Sequence, residues 1–170
     1  DGSFGPEDPV LRAQMAALIG RAMGYSDSPA NPFTDRCDPV VPTNCVDDEL
    51  WNRVAQLAER RVAGGYRDPD TCGGATNVPC YAARDFALQA QTISFITRAM
   101  INAGYWEMQP VDPALYGGVL NYTGHEQDTA TFVHYTRAVG GVPDHPTDRP
   151  FDTWNQPATR AWFARALWAA

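Results

Sequence analysis

Ser3-Phe4-Gly5-Pro6-Glu7-Asp8-Pro9-Val10-Leu11-Arg12-Ala13-Gln14 opens a helix-like run that continues to Tyr25. Cys80-Tyr81-Ala82-Ala83-Arg84-Asp85-Phe86-Ala87-Leu88-Gln89-Ala90-Gln91 opens a second, which continues to Met100. Phe151 to Trp162 opens a third, in which Pro157-Ala158-Thr159-Arg160-Ala161 echoes Pro9-Val10-Leu11-Arg12-Ala13. A segment met three times makes related units the first fold hypothesis, and the surfaces between stacked units the first functional one.

The copies share an apolar face. Leu11, Met15, Leu18, Ile19 and Ala22 fall at i, i+4, i+7, i+8 and i+11, the spacing of an amphipathic helix. Leu88, Thr92, Phe95, Ile96 and Ala99 repeat those offsets, as do Thr159, Phe163, Ala166, Leu167 and Ala170. Asp8 is a possible cap for the first run, and Gly24 is placed to end it. A second kind of helix precedes copies two and three. Asp47 or Asp48 can cap a run through Leu50, Trp51, Val54, Leu57 and Ala58, and Asp128 one through Phe132, Tyr135, Thr136 and Val139. Both runs lead into paired glycines, Gly64-Gly65 and Gly140-Gly141, which suit a left-handed helix stop.

At 170 residues the chain can bury a sizeable core as one compact domain or a tight repeat array. No apolar run is long enough to span a membrane as a helix. No signal peptide is visible, and the start at Asp1-Gly2-Ser3 suggests a mature or trimmed chain. A net charge of −7 argues against nucleic acid as the main partner. All 13 basic residues are arginine, which fits a GC-rich coding bias and also supplies planar donors for carboxylate or phosphate.

Cys37/Cys45 and Cys72/Cys80 form two equally spaced pairs in loops rich in Pro, Asp, Thr and Asn. Local disulfides are the economical pairing of the three possible connectivities. The spacing is too wide for the paired cysteines of a zinc site. Disulfides imply an oxidising compartment and hence export.

In order along the chain, these motifs resemble the S-layer homology (SLH) module. Phe33-Thr34-Asp35, Trp51, Gly65-Tyr66-Arg67-Asp68 and Leu88-Gln89-Ala90-Gln91 match a middle module, and residues 1–25 match the second half of a first. Gly141-Val142-Pro143-Asp144 and Pro157-Ala158-Thr159-Arg160-Ala161-Trp162 match a third. The resemblance implies a mainly α protein, a pseudo-threefold array of helix-loop-helix modules around a central helix bundle, with disulfide-stapled loops. Module boundaries would be 1–25, 31–106 and 128–170, with 107–127 as linker and one compact domain overall. It further implies a non-enzymatic, exported protein at the cell surface, anchored to secondary cell-wall polysaccharide, often pyruvylated. Arg12, Gln89 and Arg160 take the ligand-contacting position at the three helix starts, and Trp51, Tyr66 and Asp68 belong to the other groove-forming segment. No cofactor is implied.

The chain departs from that pattern in ways that matter. Gln89 supplies no cation for an acidic glycan, and the usual Glu is replaced by Gln14, Gln91 and Trp162. Helix starts disfavour cations, so Arg12 and Arg160 serve either a ligand or an ion pair between modules. Arg21 and Arg98, toward helix ends, read as structural. Trp51 and Phe132 read as core, whereas Trp106, Trp154, Trp162 and Trp168 could mark a partner surface. These features also suit a different class of function, an assembly subunit of a surface layer, filament or extracellular complex. The three histidines share no metal-ligand spacing, Asp68-Pro69-Asp70 lacks a full calcium loop, and no catalytic constellation is visible.

Overall fold

In a computed structural model, residues 5–37, 45–74, 78–112, 124–136 and 156–170 are described. Phe4, Phe151, Trp154 and the Gly140-Gly141 turn lie outside them. Among the described residues, five helices account for the regular structure: α1 (Arg12–Ala22), α2 (Asp48–Glu59), α3 (Gln89–Asn102), α4 (Glu126–Thr136) and α5 (Arg160–Ala169). Extended segments meet only in isolated β-bridges among the described residues. The mainly helical class and both local disulfides, Cys37–Cys45 and Cys72–Cys80, therefore stand as expected. The chain divides into two compact units, Leu11–Phe86 and a second built from Asp1–Val10 with Ala87–Ala170.

Within Leu11–Phe86, α1 packs on α2. The buried face of α1 is rotated from the one that periodicity predicts: Met15 and Ile19 are buried, but so are Ala16, Ala17 and Gly20, while Leu18 is 38% exposed. Small residues explain the rotation. A Cβ at Gly20 would lie 3.3 Å from Arg53 Cδ and 3.4 Å from Gln56 Oε1, so side chains of α2 pack closely over the glycine. Helix α2 starts as its sequence predicts, with the Asp47 carboxylate accepting from the N–H groups of Glu49 and Leu50. Arg21 at the end of α1 pairs with Glu49 at 2.6 Å.

All three helices α1, α2 and α3 end in a Schellman motif, whose two backbone bonds satisfy otherwise orphaned carbonyls. Gly24 and Gly104 take the left-handed position after α1 and α3. After α2 that position falls to Arg61 (φ 56°), not to the glycine pair. Gly65 is left-handed for another reason. Its Cβ would sit 2.3 Å from the Phe33 ring and 2.7 Å from the Cys80 carbonyl, so the position requires absence of a side chain.

In the other unit, α3 packs against α4 and α5. Thr92, Phe95, Ile96 and Ala99 are buried as the repeat predicts, with Phe132, Phe163 and Ala166 opposite them in the same core. Helix α4 begins earlier than expected, at Glu126, so Asp128 lies within its first turn rather than at its cap. There Asp128 is buried and pairs with Arg98 at 2.8 Å, which gives Arg98 its structural use. Trp106 is also buried, stacked on Tyr135 at 5.0 Å and edge-on to Phe132 at 5.8 Å.

The residues that precede the helix caps are linked in this unit. Val10 donates its N–H to the Ala158 carbonyl, Ala158 to Ala87, and Ala87 back to Val10, at 2.7 to 2.9 Å. These are equivalent positions in the three sequence copies, and they form a closed ring of backbone hydrogen bonds.

Candidate functional site

The N-termini of α1, α3 and α5 set the first residue of interest in each copy. At every one, the N–H of the first helical residue finds a carbonyl three residues before the cap of another copy: Arg12 to Asp85, Gln89 to Gln156, and Arg160 to Asp8, at 2.9 to 3.1 Å. The caps divide a capping box between them. Gln14 and Gln91 use Oε1 to accept from the N–H of Leu11 and Leu88, while Thr159 accepts from the N–H of Trp162 through Oγ1. Gln thus keeps the hydrogen bond that a Glu would make there, without its charge.

The side chains at these equivalent starts differ in surroundings. Arg12 is 3% exposed. Its guanidinium lies 4.9 Å from the Tyr66 ring centroid and 4.8 Å from that of Tyr81. Its Nε donates to the Tyr81 carbonyl at 2.8 Å, and the Tyr81 hydroxyl donates to the Arg12 carbonyl at 3.0 Å. Two ring faces and a carbonyl offset much of the cost of burying a cation. Burial pushes the Tyr81 phenol above its ordinary range; the Arg12 charge opposes that shift, and Tyr66 and Asp35 add to it.

Tyr81 is held in place by Asp35. The Asp35 carboxylate accepts from three consecutive backbone N–H groups, Tyr81 and Ala82 at 2.7 Å and Ala83 at 3.4 Å. Ala82 adopts φ 55° to aim them. Such a run of N–H groups is an anion-binding concavity, here filled by the protein's own carboxylate. Tyr66 and Cys80 exchange both backbone hydrogen bonds, so the Cys72–Cys80 disulfide and the tyrosine clamp are parts of one assembly.

Asp68 is exposed and turns inward on its own loop, accepting from the N–H and hydroxyl of Thr71 and from the N–H of Asp70. The Thr71 hydroxyl, first among these, holds its carboxyl below the usual 3.8. Trp51 is half-buried on α2, and its carbonyl accepts from Asn31 Nδ2. In the second unit Gln89 is buried, and Arg160 lies 3.4 Å from Asp8 with about a third of its side chain exposed. Of the six residues singled out from the sequence, Arg12 and Tyr66 are in contact; Tyr81 and Asp35, which complete their cluster, were not singled out. Phe33-Thr34-Asp35 pointed to that loop, but a carboxylate bound to N–H groups 46 to 48 residues away leaves no local pattern.

Beside this cluster runs a cleft of about 190 Å³, lined by Asp35, Thr71, Gly73, Ala82, Arg84 and Asp85 together with cysteines of both disulfides. Elsewhere, Ser94 Oγ lies 2.6 Å from His125 Nδ1, a pairing seen in nucleophilic catalysis. Ser94 is fully buried, which leaves no room for a substrate at its hydroxyl. No group of acidic, His or Cys side chains among the described residues could hold a metal ion.

The chain matches no known protein family, no curated protein and no solved structure. The SLH resemblance accordingly rests on the chain's own motifs.

Proposed function

We propose that this chain is a divergent, non-enzymatic SLH-type module array of an exported protein, and that it anchors its parent protein to an acidic cell-wall polysaccharide. The observation that carries the reading is the closed ring through Val10, Ala87 and Ala158, which ties the three sequence copies by equivalent backbone bonds and supports a pseudo-threefold arrangement. Two disulfides suit an exported protein. Among the described residues no helix is long and apolar enough to cross a membrane.

Of the helix-start positions, Arg160 is the one whose guanidinium stays partly open to solvent, so it is the residue assigned to the acidic group of the glycan. Arg12 contributes by holding Tyr66 and its loop. The test is sedimentation with purified wall sacculi before and after removal of the secondary polymer. Binding that requires the polymer and weakens at least tenfold in Arg160→Ala is expected; binding indifferent to both overturns the anchor.

A second reading, an assembly subunit that uses the same fold for protein contacts, is favoured by exposed apolar side chains: Trp168 at 80%, Tyr105 at 70% and Met108 at 45%. Light scattering at high concentration separates the two, since a strict monomer that binds sacculi excludes self-assembly.

A further inference from the structure

Both disulfides touch the cleft beside the tyrosine clamp, but they differ in access. Cys72 and Cys80 are buried, at 7% and 1% exposure, and Cys80 also exchanges both backbone hydrogen bonds with Tyr66. Cys45 is exposed and lies outside the cleft lining, whereas Cys37 is half-buried and belongs to it. Thiol–disulfide exchange needs a nucleophile at one sulfur and a leaving group at the other. The Cys37–Cys45 bridge turns its first end to water and its second to the cleft. That second end is prepared for negative charge. Arg84 lines the same cleft, and its Nη2 donates at 3.2 Å to the carbonyl of Arg36, the residue joined directly to Cys37. Its other side-chain donors have no partner among the described residues. Of the remaining charges there, Asp35 is covered by three N–H groups, Arg36 is paired with Asp48, and Asp85 is exposed, where water screens it. A cationic neighbour of this kind stabilises a thiolate.

The two chain ends stay aligned without the bridge. Val46 donates its N–H to the Arg36 carbonyl at 2.9 Å, and Arg36 Nε donates back to the Val46 carbonyl at 3.2 Å. The residues next to the two cysteines therefore hold one another, so opening is local and the thiols remain within reach of closure. We infer that Cys37–Cys45 is a reversible site of thiol–disulfide exchange with a dithiol, while Cys72–Cys80 is a permanent staple of the tyrosine clamp. One thiolate of the dithiol attacks Cys45 Sγ. The Cys37–Cys45 bond breaks as the new S–S bond forms, and its electron pair leaves on Cys37 Sγ beside Arg84. The second thiolate attacks the dithiol's own sulfur in this mixed disulfide and expels Cys45 as thiolate. Two electrons have then passed to the protein, the dithiol has become a disulfide, and the protons it gave up end on the two cysteines. A small disulfide as oxidant reverses the sequence. The site goes beyond the glycan anchor assigned to Arg160 and does not depend on it.

The experiment is timed reduction of the folded chain with dithiothreitol, quenched by N-ethylmaleimide and read at each cysteine by peptide mass spectrometry. Cys37 and Cys45 are expected to be reduced about tenfold faster than Cys72 and Cys80, with the helical circular dichroism retained. Reduced glutathione, a monothiol, stops at the first step and is expected to leave its adduct on Cys45. Arg84→Ala is expected to slow opening by about threefold, through a poorer leaving group, while Arg84→Lys keeps most of the parent rate. Neither variant changes the melting temperature of the oxidised chain. Glutathione disulfide, added after selective reduction, re-forms Cys37–Cys45. Equal reduction rates at the two bridges, an adduct on Cys37 in place of Cys45, loss of helix on selective reduction, or a rate unmoved by Arg84→Ala would each overturn the proposal.

Discussion

Replacing Arg12 with alanine separates a buried clamp from a surface ligand contact. The interactions that go with the guanidinium include the Nε hydrogen bond to the Tyr81 carbonyl and the two ring faces at 4.9 and 4.8 Å. A hydrogen bond from a charged group contributes about 1.5–3 kcal/mol, and each desolvated cation–π contact about 1–2 kcal/mol. Returning the cation to water in the unfolded chain takes back several kcal/mol of this, because a buried charge carries a desolvation cost. The net expected loss is about 3 kcal/mol, a substantial share of the 5–15 kcal/mol typical of a folded domain. For a chain of this size that lowers the melting temperature by about 6–12 °C. Arg160→Ala removes one half-exposed ion pair, for which about 0–1 kcal/mol is expected, so its melting temperature moves by less than about 4 °C. Arg12→Lys keeps the cation but loses the planar fork, and falls between the two. Thermal melts followed by circular dichroism, disulfides intact, measure all three. Arg12→Ala melting within about 2 °C of the parent, or Arg160→Ala costing as much as Arg12→Ala, would refute the clamp. The ordering also decides how wall binding is tested, since a loss in Arg12→Ala confounds folding with contact and a loss in Arg160→Ala does not.

Thr129 is fully buried on α4 with no hydrogen-bond partner for its hydroxyl, so Thr129→Val is expected to stabilise by about 1 kcal/mol in urea unfolding; destabilisation would mean that the hydroxyl is satisfied in solution. Gly65→Ala meets both a left-handed backbone and the Phe33 ring, and about 3 kcal/mol of destabilisation is expected, against about 1 kcal/mol for Gly24→Ala, where φ is +68° but nothing lies within 4 Å. Equal costs at the two glycines would show that the Phe33 contact yields. The Asp68 carboxyl, lowered by the Thr71 hydroxyl, contributes stability above its ordinary value of 3.8 that is lost as pH falls through its lowered one. NMR titration should find its midpoint below 3.8, and Thr71→Val should move it back up; an unmoved midpoint would assign the shift elsewhere.

How far the sequence could be read follows from which groups carry the repeat. Backbone roles repeat faithfully. The first helical N–H of each copy bonds a carbonyl three residues before another copy's cap, and Gly24 and Gly104 stop their helices, so helix positions and both disulfides were legible. Where local chemistry had substitutes, legibility failed by small amounts. Arg61 took the left-handed stop expected of a glycine, because α2 ends at Glu59, well before the glycine pair, and Gly65 instead packs closely against Phe33. Leu18 lies outside the core, where α1 instead buries Ala16, Ala17 and Gly20, a stripe of small residues that hydrophobic spacing does not register.

Side-chain roles repeat least, and the reason is geometric. A repeated position fixes where a side chain leaves the backbone, while its partner comes from another segment, and that segment differs between copies. Arg12 leaves its helix toward Tyr66 and Tyr81, brought there by Asp35 and the Cys72–Cys80 staple, and becomes buried. Arg160 leaves an equivalent position toward Asp8 and remains partly in water. Gln89, with no charge to neutralise, is buried outright. The sequence motif thus assigns one role to three residues, and their neighbours assign three. Where one motif recurs at several helix starts, the surroundings of its arginine follow from the side chains that the facing segment supplies rather than from its place in the motif.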